Sequence, residues 1–422
     1  METIKIKNVD EEIYKEVLDN GLEVYLYVNN NIHNNYVTFT TKYGSVYNEF
    51  IDSDGKNIKV PNGIAHFLEH KVFALKDGPQ PEEFYGESGA SCNAYTTFKN
   101  TTYEVNGSDN LIKNIEFLLD FVQNLYLTKE NVESEKGIIT QEINMCNDRP
   151  MDILYEKIRK NCIKNNPFKD SIIGTEKEVR SITKELLEKC YYKFYNPSNM
   201  FLVVTGNFDK DEVIKAIRDN QNNKKFKKIE KIELNKYKEP DKVVKEMEVV
   251  KCNTNIPKVA YSIKINADKF KMDKRKISVY LYIIFDLLFG ETSIFDEELK
   301  KEKISTFATS YNNIYIGSHF VISLVNFTEK YDDFIKKIDN QFKNISIDEV
   351  DLERKKRVLK SNEIFSYESI SLVNDMIVDN IIYDGKIEDD MISKIDSLNL
   401  EELNEIIKNI DFNNKSIVIL KK

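Results

Sequence analysis

The pattern of apolar and polar residues divides the chain into alternating strand-like and helix-like segments. Short runs of alternating apolar and polar residues are typical of strands, and apolar residues spaced three and four apart are typical of helices. In the first half the pattern predicts strands at 22–28, 36–43, within 90–105 and at 200–206, and helices at 63–75, 109–124 and 129–147. In the second half it predicts strands at 259–265 and within 305–325, a helix at 273–289, and further helices to about 410.

A hydrophilic segment at 219–245 has almost no apolar face and separates two halves of similar length. Because such segments are typical of domain boundaries, we predict a first domain at 1–225, a linker at 226–240 and a second domain at 241–422. The turn and strand at 194–206 resemble those at 411–422, which indicates a duplicated unit. The predicted fold class is α+β, with two related domains of antiparallel sheet and packed helices.

Composition and charge narrow the classes of function. The chain has 422 residues, of which 41% are hydrophobic and 31% charged, as in an ordinary globular protein. Its net charge of -9 argues against nucleic acid or an anionic membrane as the main partner. The longest apolar run, 278–289, is interrupted by Asp286 and is shorter than the ~20 residues that span a bilayer, so it predicts a buried helix.

The N-terminal residues and the cysteines predict the compartment. The first 17 residues are charged from position 2 and do not form the pattern of a secretory signal. Five cysteines are an odd number, and none of them forms a CxxC pair, which argues against a disulfide framework and a thiolate zinc site. We therefore expect a cytoplasmic protein.

Candidate chemistry begins with the segment GIAHFLEHKVF, which contains His66, Glu69 and His70. On a helix, residues four apart lie one above the other, so both imidazoles can reach one metal ion. Zinc suits imidazole ligands, and a neighbouring carboxylate can act as general base on a water molecule. HxxEH is the inverzincin signature. The alternative is a surface helix that carries two solvated histidines.

A third metal ligand is expected from 132–147, VESEKGIITQEINMCN, because catalytic zinc typically has three protein ligands. On the predicted helix, Glu135 and Glu142 lie in the middle of the apolar face. Burying unpaired carboxylates costs several kcal/mol each, so a cation or a hydrogen-bonding network should lie opposite them. The alternative is that both glutamates pair with lysine or arginine side chains elsewhere.

HxxEH followed by a distant ExxxxxxE pair resembles the insulinase and pitrilysin zinc metallopeptidases, which include the mitochondrial processing peptidases. The chain is similar above all to the short bacterial members, and the resemblance implies the processing-peptidase-like metallohydrolase fold. It also implies that His66, His70 and Glu142 bind Zn²⁺. By the same resemblance Glu69 is the general base, and Glu135 supports the site as a second catalytic residue.

The segment GASCNAYTTFKNTTYEV, 89–105, resembles the edge strand that binds substrate in this family. Asn93, Ala94 and Tyr95 would occupy the part that pairs with the peptide backbone. Such β-strand addition recognises extended peptides through main-chain hydrogen bonds.

One feature departs from the family pattern, in which an arginine and a tyrosine of the second half grip the substrate. The corresponding segment, 295–309, has Lys300, Lys301 and Phe307 instead. We therefore expect a homologous partner subunit to supply this Arg/Tyr clamp.

The expected function is that of a zinc-dependent endopeptidase subunit, the catalytic half of a heterodimer, which hydrolyses unfolded peptides such as leader or precursor peptides. Two alternatives remain open at this point. One is a non-catalytic scaffold or interaction subunit of the same fold. The other is a metal-using hydrolase that acts on a small molecule.

Overall fold

A computed structural model describes residues 1–51, 55–227, 232, 235 and 237–422. The chain forms two compact units. The first consists of Met1–Ile143, Ser171–Asn235 and Asn362–Ile392, and the second of Asn144–Asp170, Lys236–Ser361 and Ser393–Lys422. Each half of the chain thus contributes a segment to the unit that the other half mainly forms, so the units are not the continuous stretches 1–225 and 241–422. Part of the predicted linker, 226–240, lies outside the described residues.

The elements are numbered in chain order. The strands are β1 (Glu2–Ile6), β2 (Glu11–Val17), β3 (Glu23–Val28), β4 (Asn35–Thr41), β5 (Glu49–Ile51), β6 (Asn57–Lys59), β7 (Ser91–Thr96), β8 (Thr101–Gly107), β9 (Met200–Gly206), β10 (Met247–Lys251), β11 (Lys258–Asn266), β12 (Ser310–Tyr315), β13 (His319–Phe327) and β14 (Lys415–Lys421). The helices are α1 (Ile64–Val72), α2 (Pro81–Glu87), α3 (Leu111–Val122), α4 (Lys129–Asp148), α5 (Pro150–Cys162), α6 (Glu176–Ser181), α7 (Lys184–Phe194), α8 (Lys210–Asn222), α9 (Lys274–Phe289), α10 (Ile294–Lys301), α11 (Tyr331–Lys343), α12 (Glu349–Ser366), α13 (Ile370–Asp384), α14 (Met391–Asp396) and α15 (Leu400–Asn409).

The first unit is built on a seven-stranded sheet with the order β1-β2-β3-β9-β4-β8-β7. Strands β3 and β9 are parallel, and the other neighbours are antiparallel. Side chains alternate between the two faces of each strand. On β4, Val37 and Phe39 join a core that includes side chains of α1, α3, α4, α7 and α8, which we call the first core. Tyr36 points to the other face, where α13 packs on β4 and β9.

The second unit is built on a five-stranded sheet with the order β10-β14-β11-β13-β12. Its one parallel pair is β10 and β14, and the other pairs are antiparallel. Tyr261 and Ile263 of β11 join a core that includes side chains of α9, α11 and α15. Helix α5 packs on β11 and β14, where Cys162 lies beside Ser262 and Ser416.

The two sheets repeat one arrangement. Strands β3, β9, β4, β8 and β7 have the same order and directions as β10, β14, β11, β13 and β12. The strands β9 and β14, whose sequences suggested a duplication, occupy equivalent positions. This confirms the α+β class with two related units, although each sheet contains one parallel pair. Because α13 packs on the first sheet and α5 on the second, the segments 362–392 and 144–170 each belong to the unit mainly formed by the other half.

The apolar run 278–289 lies in α9, which contributes Ile284 and Phe285 to the core of the second unit. In the described part of the chain, Lys274–Lys301 is the one stretch that is long and apolar enough to cross a membrane, and 50% of its most apolar window is buried. Buried core helices of folded proteins can be equally long and apolar. The run is thus the buried helix that the sequence predicts.

Glu239 is a buried carboxylate that joins separate parts of the second unit. It accepts hydrogen bonds from the backbone N–H groups of Lys164, Asn165 and Asn166. Its Oε1 also lies 2.8 Å from Nζ of Lys264 on β11, and both side chains are fully buried. Burial acts to raise the pKa of Glu239, but these hydrogen bonds outweigh it and lower the pKa below its ordinary value. The ionised carboxylate therefore attaches the 164–166 segment to the sheet.

Replacing Glu239 by glutamine should destabilise the second unit by about 3 kcal/mol, because Lys264 would stay buried without its counter-charge. Circular dichroism during urea unfolding at pH 7 measures this as a lower midpoint. Since the folded pKa of Glu239 is depressed, its contribution is complete above the unfolded pKa of about 4.3 and is lost as the pH falls through the folded value. The difference between wild type and E239Q should therefore shrink below about pH 4.

The matched control is Glu298→Gln on α10 of the same unit. Glu298 is half exposed and pairs with Lys337, which also pairs with Glu302, so the change should cost less than about 1 kcal/mol. Equal midpoints for wild type and E239Q at pH 7 would contradict the assignment.

Candidate metal centre

The start of α1 is set by Gly63, the residue before the helix. Gly63 has a left-handed φ of 86°, which favours glycine. A Cβ on Gly63 would lie 2.4 Å from the carbonyl oxygen of Ile173, so a larger residue does not fit. This close approach fixes where α1 begins and places His66 in its first turn.

Helices α1 and α4 bring His66, His70 and Glu142 together. His66 Nε2 lies 3.6 Å from Glu142 Oε1, and His70 Nε2 lies 3.7 Å from Glu142 Oε2. One ligand atom from each residue lies within 4.8 Å of the other two, and in the described part of the chain this is the one such group of three. Two atoms bound to a tetrahedral zinc at about 2.0–2.1 Å are about 3.4 Å apart. The donor set and its spacing therefore fit zinc.

The two imidazoles differ in their surroundings. His66 is 7% exposed, and burial, together with the nearby His70, lowers its pKa to about 3. The neutral imidazole that results is the form that binds metal. His70 Nδ1 lies 3.0 Å from Glu135 Oε1, an arrangement in which Nδ1 donates and Nε2 stays free for a metal. Burial acts to lower the pKa of His70, but the bond to Glu135 outweighs it and the pKa is raised.

Glu135 is held by two donors. Besides His70, the ammonium of Lys71 lies 3.0 Å from its Oε2. Burial acts to raise the pKa of Glu135, but the hydrogen bonds from His70 and Lys71 outweigh it and lower the pKa to about 2. The carboxylate is therefore ionised over the whole physiological range.

Glu69 lies on α1 between the two histidines and is also buried. Burial raises the pKa of its carboxyl group. Its Oε2 accepts a hydrogen bond of 2.5 Å from the hydroxyl of Thr96, the last residue of β7. A carboxylate whose pKa is raised towards neutrality, next to a group that fits zinc, is suited to accept and return a proton.

Asn93, Ala94 and Tyr95 lie on β7, which pairs only with β8 and so forms an edge of the sheet over the described residues. Ala94 packs towards the first core, on the face that Thr96 shares with Glu69. Asn93 and Tyr95 point to the opposite face because side chains alternate along a strand. Backbone pairing of β7 with a peptide is compatible with this geometry. Contacts of the Asn93 and Tyr95 side chains with the metal group are not compatible with it.

The structure corrects one detail of the α4 pattern. The buried face of α4 consists of Val132, Lys136, Ile139, Thr140 and Ile143. Ile138 and Met145 are more than half exposed, so Glu135 and Glu142 lie at the flank of the buried face and not at its middle. The alternative of two solvated histidines does not fit, because His66 is buried. The alternative of glutamates paired with lysine fits Glu135, which pairs with Lys71 as well as His70, but among the described residues it does not fit Glu142.

Sequence reasoning missed Lys71 and Thr96. A signal existed for each. Lys71 directly follows HxxEH and, at about 100° per residue, lies beside the apolar side of α1, where a lysine needs a partner. Thr96 directly follows Asn93, Ala94 and Tyr95, which were assigned to substrate binding.

The sequence matches two family models. The model of the insulinase family, peptidase family M16, matches residues 54–176, and a model described as the peptidase M16 inactive domain matches 181–359. A Bacillus subtilis protein named an uncharacterized zinc protease, YmfH, is 33% identical over 96% of this chain and 95% of its own. The chain belongs to the insulinase family. A crystal structure of an M16-like peptidase from Alicyclobacillus acidocaldarius is similar with a TM-score of 0.91, at 31% identity, over 98% of this chain and 99% of that one.

One sequence match to a eukaryotic protein covers about a third of the chain. A probable mitochondrial-processing peptidase subunit beta from Arabidopsis thaliana is 27% identical over 37% of this chain and 30% of its own. His66, Glu69, His70, Glu135 and Glu142 all lie within the part that matches the insulinase model.

The purified insulinase-family chain should bind about one zinc ion, and the His66→Ala variant should lose most of it, because the variant removes one of three ligands. Metal analysis after dialysis at equal protein concentration measures the ratio. His33→Ala is the matched control, since His33 is exposed in a loop and should not change the zinc content. Equal zinc in wild type and H66A would contradict the ligand set.

Proposed function

We propose that the chain is a zinc-dependent endopeptidase subunit that hydrolyses unfolded peptides. The observation that carries the proposal is the convergence of His66, His70 and Glu142, with Glu69 beside them and a sheet edge next to Glu69. The zinc protease names of its relatives support the same reading.

Zinc held by His66, His70 and Glu142 would polarise the scissile carbonyl and lower the pKa of the attacking water. Glu69 takes the proton of that water and returns it to the leaving amine. The hydroxyl of Thr96 holds one oxygen of Glu69 and leaves the other free for the proton. Glu135 keeps His70 oriented with Nε2 towards the metal position.

The edge strand β7 favours a peptide over a small molecule as substrate. A chain that adds to the open side of β7 at Asn93, Ala94 and Tyr95 forms main-chain hydrogen bonds. Such bonds require an extended backbone, so the expected substrates are unfolded peptides such as leader or precursor peptides. Because Thr96 ends this strand and contacts Glu69, a bound peptide would pass close to the general base.

The second half supports the idea of a partner. Where the family resemblance expects an arginine and a tyrosine, the segment 295–309 has Lys300, Lys301 and Phe307, and Phe307 is 44% exposed. We infer that a homologous subunit supplies the Arg/Tyr clamp and that this chain is the catalytic half of a heterodimer. None of the five cysteines forms a disulfide, and we propose a cytoplasmic location.

Glu69→Gln should lower peptide turnover by about 10²–10⁴-fold while the bound zinc stays unchanged, because the variant removes a proton acceptor and no ligand. Cleavage of an unstructured quenched-fluorescence peptide, measured beside zinc content, tests both parts. Glu83→Gln on α2, an exposed glutamate, is the control and should retain wild-type turnover.

Turnover by E69Q at the wild-type rate would show that the base is another group. A zinc-loaded wild type that cleaves no peptide, even with its partner, would instead favour the non-catalytic scaffold.

The chain alone should cleave peptides slowly, and adding a homologous chain that carries the Arg/Tyr clamp but no HxxEH should raise turnover by about tenfold or more, since positioned contacts to substrate act at the transition state. A chain encoded by a neighbouring gene is the first candidate. Size-exclusion chromatography with light scattering should show one copy of each. A stable homodimer with full activity would contradict the heterodimer.

A further inference from the structure

Lys71, the residue after His70 on α1, is a buried lysine. It is 4% exposed, and lysine is almost never this buried unless it is paired. Its Nζ lies 3.0 Å from Glu135 Oε2, and the Glu135 side chain is 13% exposed. The pair joins α1 to α4 at the level of the candidate metal centre.

Glu135 divides its two oxygens between different donors. Oε1 faces His70 Nδ1 and Oε2 faces Lys71 Nζ, both at 3.0 Å. Bonds to both oxygens leave the carboxylate group one orientation, whereas a single bond would leave the long glutamate side chain free to rotate. Lys71 therefore fixes the orientation of the Glu135 carboxylate that accepts the hydrogen bond of His70.

A comparison with His66 shows why His70 depends on such support. His66 Nδ1 has no hydrogen-bond partner among the described residues, and its side chain is 9% exposed. The side chain of His70 is 25% exposed, so packing restrains it less. Hydrogen bonds to the remote nitrogen of a metal-ligating histidine are what hold such a ring in place.

We propose that Lys71 is a positioning residue of the metal centre, which acts through Glu135 to hold His70 Nε2 towards the metal. The inference rests on the proposed function, because it requires that His70 bind the metal. Lys71 touches neither metal nor substrate in this account, and its effect is carried by Glu135 alone.

The test is the zinc affinity of the purified full-length chain, measured by competition with a chromogenic chelator. Lys71→Met, which keeps length and removes the ammonium, should weaken zinc binding about 10–100-fold. Glu135→Gln should weaken it to a similar extent. The double variant K71M/E135Q should bind as E135Q does, because Lys71 acts only through Glu135.

Lys136→Met is the matched control. Lys136 lies on α4, is 8% exposed and pairs with Glu133 at 2.6 Å, and its ammonium forms no ion pair with Glu135 or either histidine among the described residues. K136M should bind zinc as the wild type does. Lys71→Arg, which restores a cation, should recover affinity to within about threefold of wild type, and the visible absorption of the cobalt(II) form should change in K71M and not in K136M.

The outcomes separate this inference from the function on which it rests. Wild-type protein that binds no zinc would overturn the proposed function. Wild-type binding with unchanged affinity in K71M, or an equal loss in K71M and K136M, would overturn only the inference about Lys71. If K71M does not fold, two measurements decide the question: the zinc affinity of K71R, and the change in zinc affinity when K71R is added to E135Q. A further loss of affinity in K71R/E135Q would contradict the proposal, since that effect would persist without Glu135.

Discussion

The rest of the site depends on how the negative charges of the glutamates on α1 and α4 are compensated. Glu69, Glu135 and Glu142 converge with two imidazoles, and Glu69 and His66 are buried whereas the side chain of Glu142 is 38% exposed. Lys71 balances one of these carboxylates. With neutral imidazoles, Lys71 is the one cation paired with these three carboxylates in the described part of the chain. Glu69 is buried without such a partner, and burying an uncompensated charge costs several kcal/mol. A divalent cation between His66, His70 and Glu142 would lower that cost, so the ion proposed to perform the chemistry would also stabilise the contact between the two helices.

The architecture is repeated, but among the described residues only the first unit carries this group. In chain order, α9 takes the place between β11 and β12 that α1 takes between β4 and β7. Helix α9 has the sequence KRKISVYLYIIFDLLF and contains no histidine, and its buried residues form an apolar core. The second unit thus keeps the framework and has packing where the first unit has the candidate metal-binding face. Most of the segment that matches a domain described as inactive, 181–359, lies in the second unit.

The sequence predicted those parts of the fold whose signals are local. Strand β9 was expected at its observed residues, and α1 within three residues at each end. The strands β1 and β2 were missed because charged residues interrupt both and each buries little, as is usual near a sheet edge. The packing of α5 and α13 in the unit of the other half could not be predicted, since it depends on contacts between residues far apart in the chain.

The sequence also predicted part of the candidate site. HxxEH and the two glutamates on α4 identified residues that the fold brings together, because helical periodicity places them on defined faces. The pattern placed Glu135 and Glu142 in the middle of an apolar face, but Ile138 and Met145 on that face are exposed, since periodicity cannot tell an apolar residue in a core from one beside an open site. The local signals at Thr96 and Lys71 did not name their partners, because the contacts with Glu69 and Glu135 depend on how β7 and α4 approach α1.

X-ray absorption spectroscopy of the zinc-loaded chain decides whether two imidazoles and one carboxylate hold a single zinc ion. We expect nitrogen and oxygen neighbours at about 2.0–2.1 Å, with the multiple-scattering features of two imidazole rings. Sulfur neighbours at about 2.3 Å, or a shell of oxygen atoms without imidazole features, would contradict it.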